Sequence, residues 1–199
     1  MSIPSTEDIR ALHERHAPSP EALELVLTHC EIVWRIAEQV LDTSPDGIDR
    51  DLVRAGCLLH DIGVYRLYDD DAGKADLTHY VRHGVLGHEL LRAEGLPEEI
   101  CRFCSCHVGM GLTRHDVLHR RLPLPAADYL PVTREEKLVM YADKFHSKTS
   151  PPRFVAAGTY AAHARRLGDD KAETFTGLRK AFGDPELTGL AAAYGHVLT

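Results

Sequence analysis

Apolar positions recur at helical spacing along most of the chain. After a weakly patterned stretch in which Pro4, Pro18 and Pro20 bracket a short helix with Ile9 and Leu12, Ser19-Pro20-Glu21 has the form of a helix start. Leu23, Val26, Leu27, Cys30, Val33, Ile36, Ala37 and Val40 then predict a helix over about 21–41. Pro45, Asp46 and Gly47 break it. A second helix starts near Asp49 and turns apolar nearly all round at Leu58 and Leu59, which places its end in the interior. Residues 64–78 read as a loop holding the acidic run Asp69, Asp70, Asp71, with Thr78 as a cap for the next helix. That helix carries His79, Tyr80, His83, Val85, Leu86, Leu90 and Leu91, and Gly84 and Gly87 on it permit close packing of another backbone. Pro97 opens a helix that reaches His107. Residues 113–132 form a proline-rich connection, placed to cover a pocket mouth. Thr133-Arg134-Glu135-Glu136 is a capping box opening a helix to Phe145. Two more helices follow, Phe154 to Leu167 and Ala172 to Phe182.

Two polar residues disturb this pattern. Asp61, next to His60, ends an interior helix, and Asp143 sits among Leu138, Val139, Met140, Ala142 and Phe145. A carboxylate in such surroundings is costly unless a metal or a cation meets it. Gly63, two residues on, lets the backbone pass closely around a site. His29 lies beside its helix's apolar stripe and, alone, reads as a satisfied histidine at the stripe edge. His79 and His83 are four apart and share a face, while His88 points elsewhere, so His83 is the ligand candidate of the three. His107 follows Cys101, Cys104 and Cys106. A zinc site there would need a second, separated ligand pair, so small buried thiols with one ligand histidine is the better reading. His13 and His16 read as solvent-exposed, and Arg153, Arg165 and Arg166 as solvated charge.

His29, His60, Asp61, His83, His107 and Asp143 thus lie on five successive helices. Imidazole with carboxylate and no thiolate suits iron, manganese, zinc or magnesium-like centres. Six donors exceed what one metal with an open position takes. Two metals bridged by Asp61 would use all six.

Charge and composition narrow the partner. With 199 residues and 44% apolar content the chain can bury a real core, and it reads as a single domain over 1–199. A net charge of −7 argues against a nucleic-acid polymer. No apolar run approaches the roughly 18 residues of a membrane span. Met1 to Arg10 is polar and acidic, without the look of a signal peptide, and five cysteines fit reduced thiols; the protein reads as cytoplasmic.

The order His29, His60-Asp61-Ile62-Gly63, Asp143 resembles the HD-domain superfamily, in its His-Asp-Ile-Gly branch of metal-dependent phosphohydrolases. The resemblance covers about 24–150, with 151–199 as a C-terminal helical extension. His83 and His107 look like the two extra ligands of the family's binuclear members. The resemblance implies an all-α helical bundle with the metals between helices and hydrolysis of a phosphate ester or anhydride, often of a nucleotide. Many members carry a lysine just after the glycine, where this chain has Val64; Arg66, Lys144 and Lys148 are the candidates to bind the substrate phosphate in its place.

The expected chemistry is attack by a metal-bound water on a small phosphorylated substrate. Asp61 would bridge two divalent metals per chain and orient the nucleophile, and His79 or His146 would protonate the leaving group. Iron or manganese are the first choices, with zinc, magnesium, cobalt or nickel after them. Similar proteins with the same ligand order use a di-iron centre as oxygenases cleaving a carbon–phosphorus or carbon–carbon bond, which is the alternative. A non-catalytic module with a structural metal is the third reading. The C-terminal helices offer a surface for a homodimer.

Overall fold

The computed structural model describes residues 3–43, 47–68 and 77–199. The acidic run at 69–71 and the break at Pro45 and Asp46 lie outside the described residues.

The expected helices form. Helix α1 (Thr6–His16) is closed by a capping box between Ser5 and Asp8. Helix α2 (Pro20–Thr43) opens with Ser19 Oγ accepting from the Ala22 amide. Asp49 caps α3 (Arg50–Leu59) through its side chain, and α4 (His83–Ala93), α5 (Glu98–Cys106) and α6 (Arg114–His119) follow. The Thr133–Glu136 capping box starts α7 (Arg134–Asp143). Helices α8 (Ala157–Leu167), α9 (Asp169–Phe182) and α10 (Thr188–Tyr194) complete the set. No described helix is long and apolar enough to cross a membrane.

Helices α2, α3, α4, α5 and α7 pack around one core in which Ile32, Ile36, Leu59, Ile62, Leu91, Ile100 and Phe103 are fully buried. The α8–α9 hairpin seats Phe175 against Tyr141 of α7 and Phe145 just beyond its end. A small sheet closes this end. Strand β1 (His146–Ser147) runs antiparallel to β2 (Arg153–Phe154), which pairs in parallel with β3 (Val197–Leu198). The strands were not expected; each is two residues long, too short to leave an alternating pattern.

Other departures have local causes. Residues 64–67, expected in a loop, belong to a largely buried 3-10 helix (Ile62–Leu67). Its backbone lies against α4, since a Cβ on Gly63 would stand 2.0 Å from the His83 carbonyl oxygen and 2.3 Å from the Gly87 amide. The stretch holding His79 is a separate 3-10 turn (Leu77–Arg82) ahead of α4, with non-helical angles at His79, so His79 and His83 do not share one helix face. His13 is fully buried, not exposed: Nε2–H donates to the Leu58 carbonyl at 2.7 Å, which leaves Nδ1 to accept from the Tyr65 hydroxyl at 2.8 Å. His16 is half-buried against Glu94 at 2.9 Å. The 113–132 connection does not cover the pocket mouth. Buried Lys171 of α9 holds it elsewhere, binding Asp116 at 2.7 Å and the Gly111 carbonyl at 3.0 Å.

Candidate metal centre

The apolar run of α3 delivers His60 and Asp61 into the interior, where burial of Asp61 is nearly complete. Helix α2 brings His29, α4 its first residue His83, α5 the following His107, and α7 its last residue Asp143. The six expected ligands therefore meet. Five are buried, and the Asp143 side chain keeps 16% exposure at the cavity edge.

Three of the imidazoles are held by backbone carbonyls. Nδ1 of His60 lies 2.7 Å from the Cys57 oxygen, that of His83 2.6 Å from Tyr80, and that of His107 3.1 Å from Phe103. A carbonyl can only accept, so each Nδ1 carries the proton and each Nε2 presents a lone pair. These lone pairs converge: His83 Nε2 and His107 Nε2 are 2.9 Å apart, and His60 Nε2 is 3.3 Å from His29 Nε2.

The Asp61 carboxylate divides between them. Its Oδ2 lies 3.2 Å from His29 Nε2 and 3.8 Å from His60 Nε2, while its Oδ1 lies 3.2 Å from His83 Nε2 and 3.6 Å from His107 Nε2. Oδ1 is buried and makes no hydrogen bond among the described residues. Asp143 Oδ1 reaches His29 at 3.1 Å and His60 at 3.4 Å. Converging lone pairs beside a carboxylate oxygen with no hydrogen bond suit a cation, and hard or borderline divalent metals take nitrogen and oxygen donors of this kind. The donor set fits such a metal. Among the described residues, none of the donor groups able to share an ion includes a cysteine.

Electrostatics keep the carboxylates charged. Burial pushes Asp61 up, but the Lys148 ammonium beside it outweighs burial and holds the group well below the usual carboxylate range. Asp143 behaves likewise, with the Lys144 ammonium overcoming burial. Burial lowers His83 to about 3 and lowers His107, so both stay neutral donors.

The remaining expected site residues divide. Lys148 contacts Asp61 Oδ2 and lies 5.3 Å from the centre of the Tyr80 ring. Lys144 bridges Asp143 at 2.6 Å and the His107 carbonyl at 2.9 Å. His146 touches the centre indirectly: its Nδ1 is 2.8 Å from His29 Nδ1 and its Nε2 3.1 Å from His196 Nδ1, so His29 is anchored by another imidazole where its fellow ligands use carbonyls. Two residues are not brought in. Arg66 is exposed beside Leu86, Glu89 and Leu90, because the 3-10 helix turns it outward, and His79 is exposed on its own turn outside the cavity lining.

The cluster forms the floor of a cavity of about 1200 Å³. Tyr80, Val81 and Val108 form part of its wall, but much of the rim comes from 147–166, including Ser147, Arg153, Tyr160, His163 and Arg166. Sequence reading left Arg153 and Arg166 as solvated charge. The spacing of Tyr160, His163 and Arg166 on one helix face was the available signal.

Comparison with known proteins agrees with this arrangement. The HD domain family model matches residues 26–148, a span that holds all six ligands and Lys148. An uncharacterized protein of Methanocaldococcus jannaschii is 41% identical over 123 residues, covering 60% of this chain and 65% of that protein. The tRNA (cytidine(56)-2'-O)-methyltransferase of Picrophilus torridus is 36% identical over 129 residues, covering 65% of this chain and 33% of that enzyme. The matches thus span less than two thirds of these relatives' own lengths. Among solved structures, the HD domain of the L. monocytogenes phosphodiesterase PgpH superposes with a TM-score of 0.53 at 17% identity, covering 94% of this chain and 98% of that one. The same domain in complex with cyclic-di-AMP superposes with a TM-score of 0.54, also at 17% identity, covering 94% and 96%.

Proposed function

This chain belongs to the HD domain family, and from that premise we propose that it is a metal-dependent phosphohydrolase that cleaves a small phosphorylated metabolite of nucleotide size. The observation that carries the proposal is the Asp61 carboxylate, whose two oxygens face two separate pairs of imidazoles in the floor of an open cavity. Two divalent cations would be held there, one by His29, His60 and Asp143 and the other by His83 and His107, with Asp61 between them. Bound there, divalent cations make water nucleophilic near neutral pH and neutralise phosphoryl charge.

The protein's own groups do the rest. Backbone carbonyls fix the tautomer and direction of His60, His83 and His107. His146 has both ring nitrogens committed, to His29 and His196, which suits orienting His29 better than giving a proton to a leaving group. Lys148 faces the cavity and meets the negative charge that builds on the phosphoryl oxygens, the part played by the lysine that Val64 replaces. Lys144 is tied to Asp143 and a carbonyl, and holds that carboxylate in place. The cavity volume admits a nucleotide, and the ligand in one PgpH structure, cyclic-di-AMP, lends weight to a nucleotide-type substrate.

The test is phosphate release from a panel of nucleotides and sugar phosphates by protein purified and assayed without oxygen, with manganese or ferrous iron added. Turnover that a chelator removes and Asp61→Asn abolishes is expected. Oxygen uptake by an iron-loaded sample, with no phosphate released, would replace the hydrolase with an oxygenase.

A further inference from the structure

Resting on the phosphohydrolase reading above, we propose that the C-terminal segment builds a second anion subsite around Arg153 and Arg166, and that the substrate therefore carries a second, non-reacting phosphate or carboxylate besides the phosphoryl group at the metal centre.

Both arginines line the same cavity as Asp61, from different elements. Arg153 on β2 pairs in register with Ser147, the residue before Lys148, and so stands on the rim just beyond the lysine that reaches Asp61. Arg166 ends the face of α8 that carries Tyr160 and His163 into the lining, and its Nη2 lies 3.4 Å from His163 Nδ1. The cavity thus has the candidate metal cluster at its floor and Tyr160, Arg153 and Arg166 among the residues that line it.

Charge argues the same way. Among the described lining residues the side-chain carboxylates are Asp61 and Asp143, and Lys148 and Lys144 already meet them. Arg153 and Arg166 add two cations with no ion pair among the described residues, in a chain whose net charge is −7. A guanidinium on a cavity rim offers a planar pair of donors to phosphate or carboxylate. At about 1200 Å³ the cavity exceeds what a single phosphoryl group needs. Both arginines follow residue 148, where the family match ends.

The test compares adenosine 3',5'-bisphosphate with adenosine 5'-monophosphate, on the metal-loaded full chain. Two readouts are used: kcat/KM for phosphate release, and equilibrium binding by calorimetry. Wild type should prefer the bisphosphate by about ten-fold or more. The double substitution Arg153→Ala/Arg166→Ala should bring that ratio to about one. Arg165→Ala, on the same helix but outside the lining, should leave the ratio as in wild type. Equal handling of the two nucleotides by wild type would overturn the subsite, as would a loss of preference in Arg165→Ala as large as in the double variant. If neither nucleotide is hydrolysed, the binding ratios still decide: a preference that depends on Arg153 and Arg166 keeps the subsite while the hydrolase reading falls.

Discussion

Nε2 of His83 and Nε2 of His107 face each other at 2.9 Å, each on a ring whose Nδ1 proton is given to a backbone carbonyl. Neither nitrogen has a proton to offer the other, so the pair is arranged for a cation. The carbonyl anchors arise from local sequence. His83 reaches back three residues to Tyr80 and His107 four to Phe103, so each ring is fixed by its own turn of chain.

Removing charge from Lys148 separates substrate chemistry from metal binding. Lys148→Met should keep the wild-type metal content and lower phosphate release by about 10²–10³-fold, the usual effect of losing a group that stabilises developing charge. Elemental analysis and a steady-state assay on the same sample check it.

Gly63 is required by close approach. The 3-10 helix at Ile62–Leu67 and α4 touch backbone to backbone there, and neither can yield by rotating a side chain. Gly63→Ala should cost about 3 kcal/mol. Gly158→Ala, in open space on α8, should change stability by only about 0.5 kcal/mol, and in the favourable direction. Urea unfolding of the two variants measures the contrast.

His13 makes stability depend on pH. Burial lowers its pKa from 6.5 to about 4, outweighing the hydrogen bond to the Leu58 carbonyl, which favours the charged ring. The unfolded chain takes up the proton first as pH falls, so the contribution is full above about 6.5 and disappears on the way down to about 4. The loss is about 3 kcal/mol. The stability difference between wild type and His13→Gln should shrink by that amount between pH 7.5 and 4, measured by urea unfolding at each pH.

Phe175 joins the C-terminal helices to α7. If 1–199 folds as one domain, Phe175→Ala should lower stability by about 3–5 kcal/mol and leave a single transition. Trp34 fluorescence, from α2, and far-UV circular dichroism should then give coincident curves. Separate curves would make the C-terminal helices an independent unit.

How much of this was legible depended on distance along the chain. The clustering of the six candidate ligands was readable because polar residues interrupt strongly apolar helices, and such interruptions need compensation wherever the helices pack. The capping sequences at Ser19 and Thr133 likewise act within one turn. His13 was misread because its partners, Tyr65 and Leu58, are more than forty residues away. Arg66 was misplaced because a 3-10 helix at Ile62–Leu67 leaves no longer pattern to set its direction. Arg153 depends on a two-residue strand, which writes no periodicity into the sequence, and Arg166 on the fold-back of α8, which its spacing from Tyr160 and His163 does not reveal.

The central claim is a two-cation centre shared through Asp61, and the most direct measurement is metal stoichiometry by elemental analysis of protein purified without oxygen. About two metals per chain are expected in wild type. His83→Ala and His107→Ala should each fall to about one, since His29, His60 and Asp143 remain. One metal or none in wild type, or no change in the two variants, would contradict the shared centre and return His83 and His107 to the structural histidines of the core.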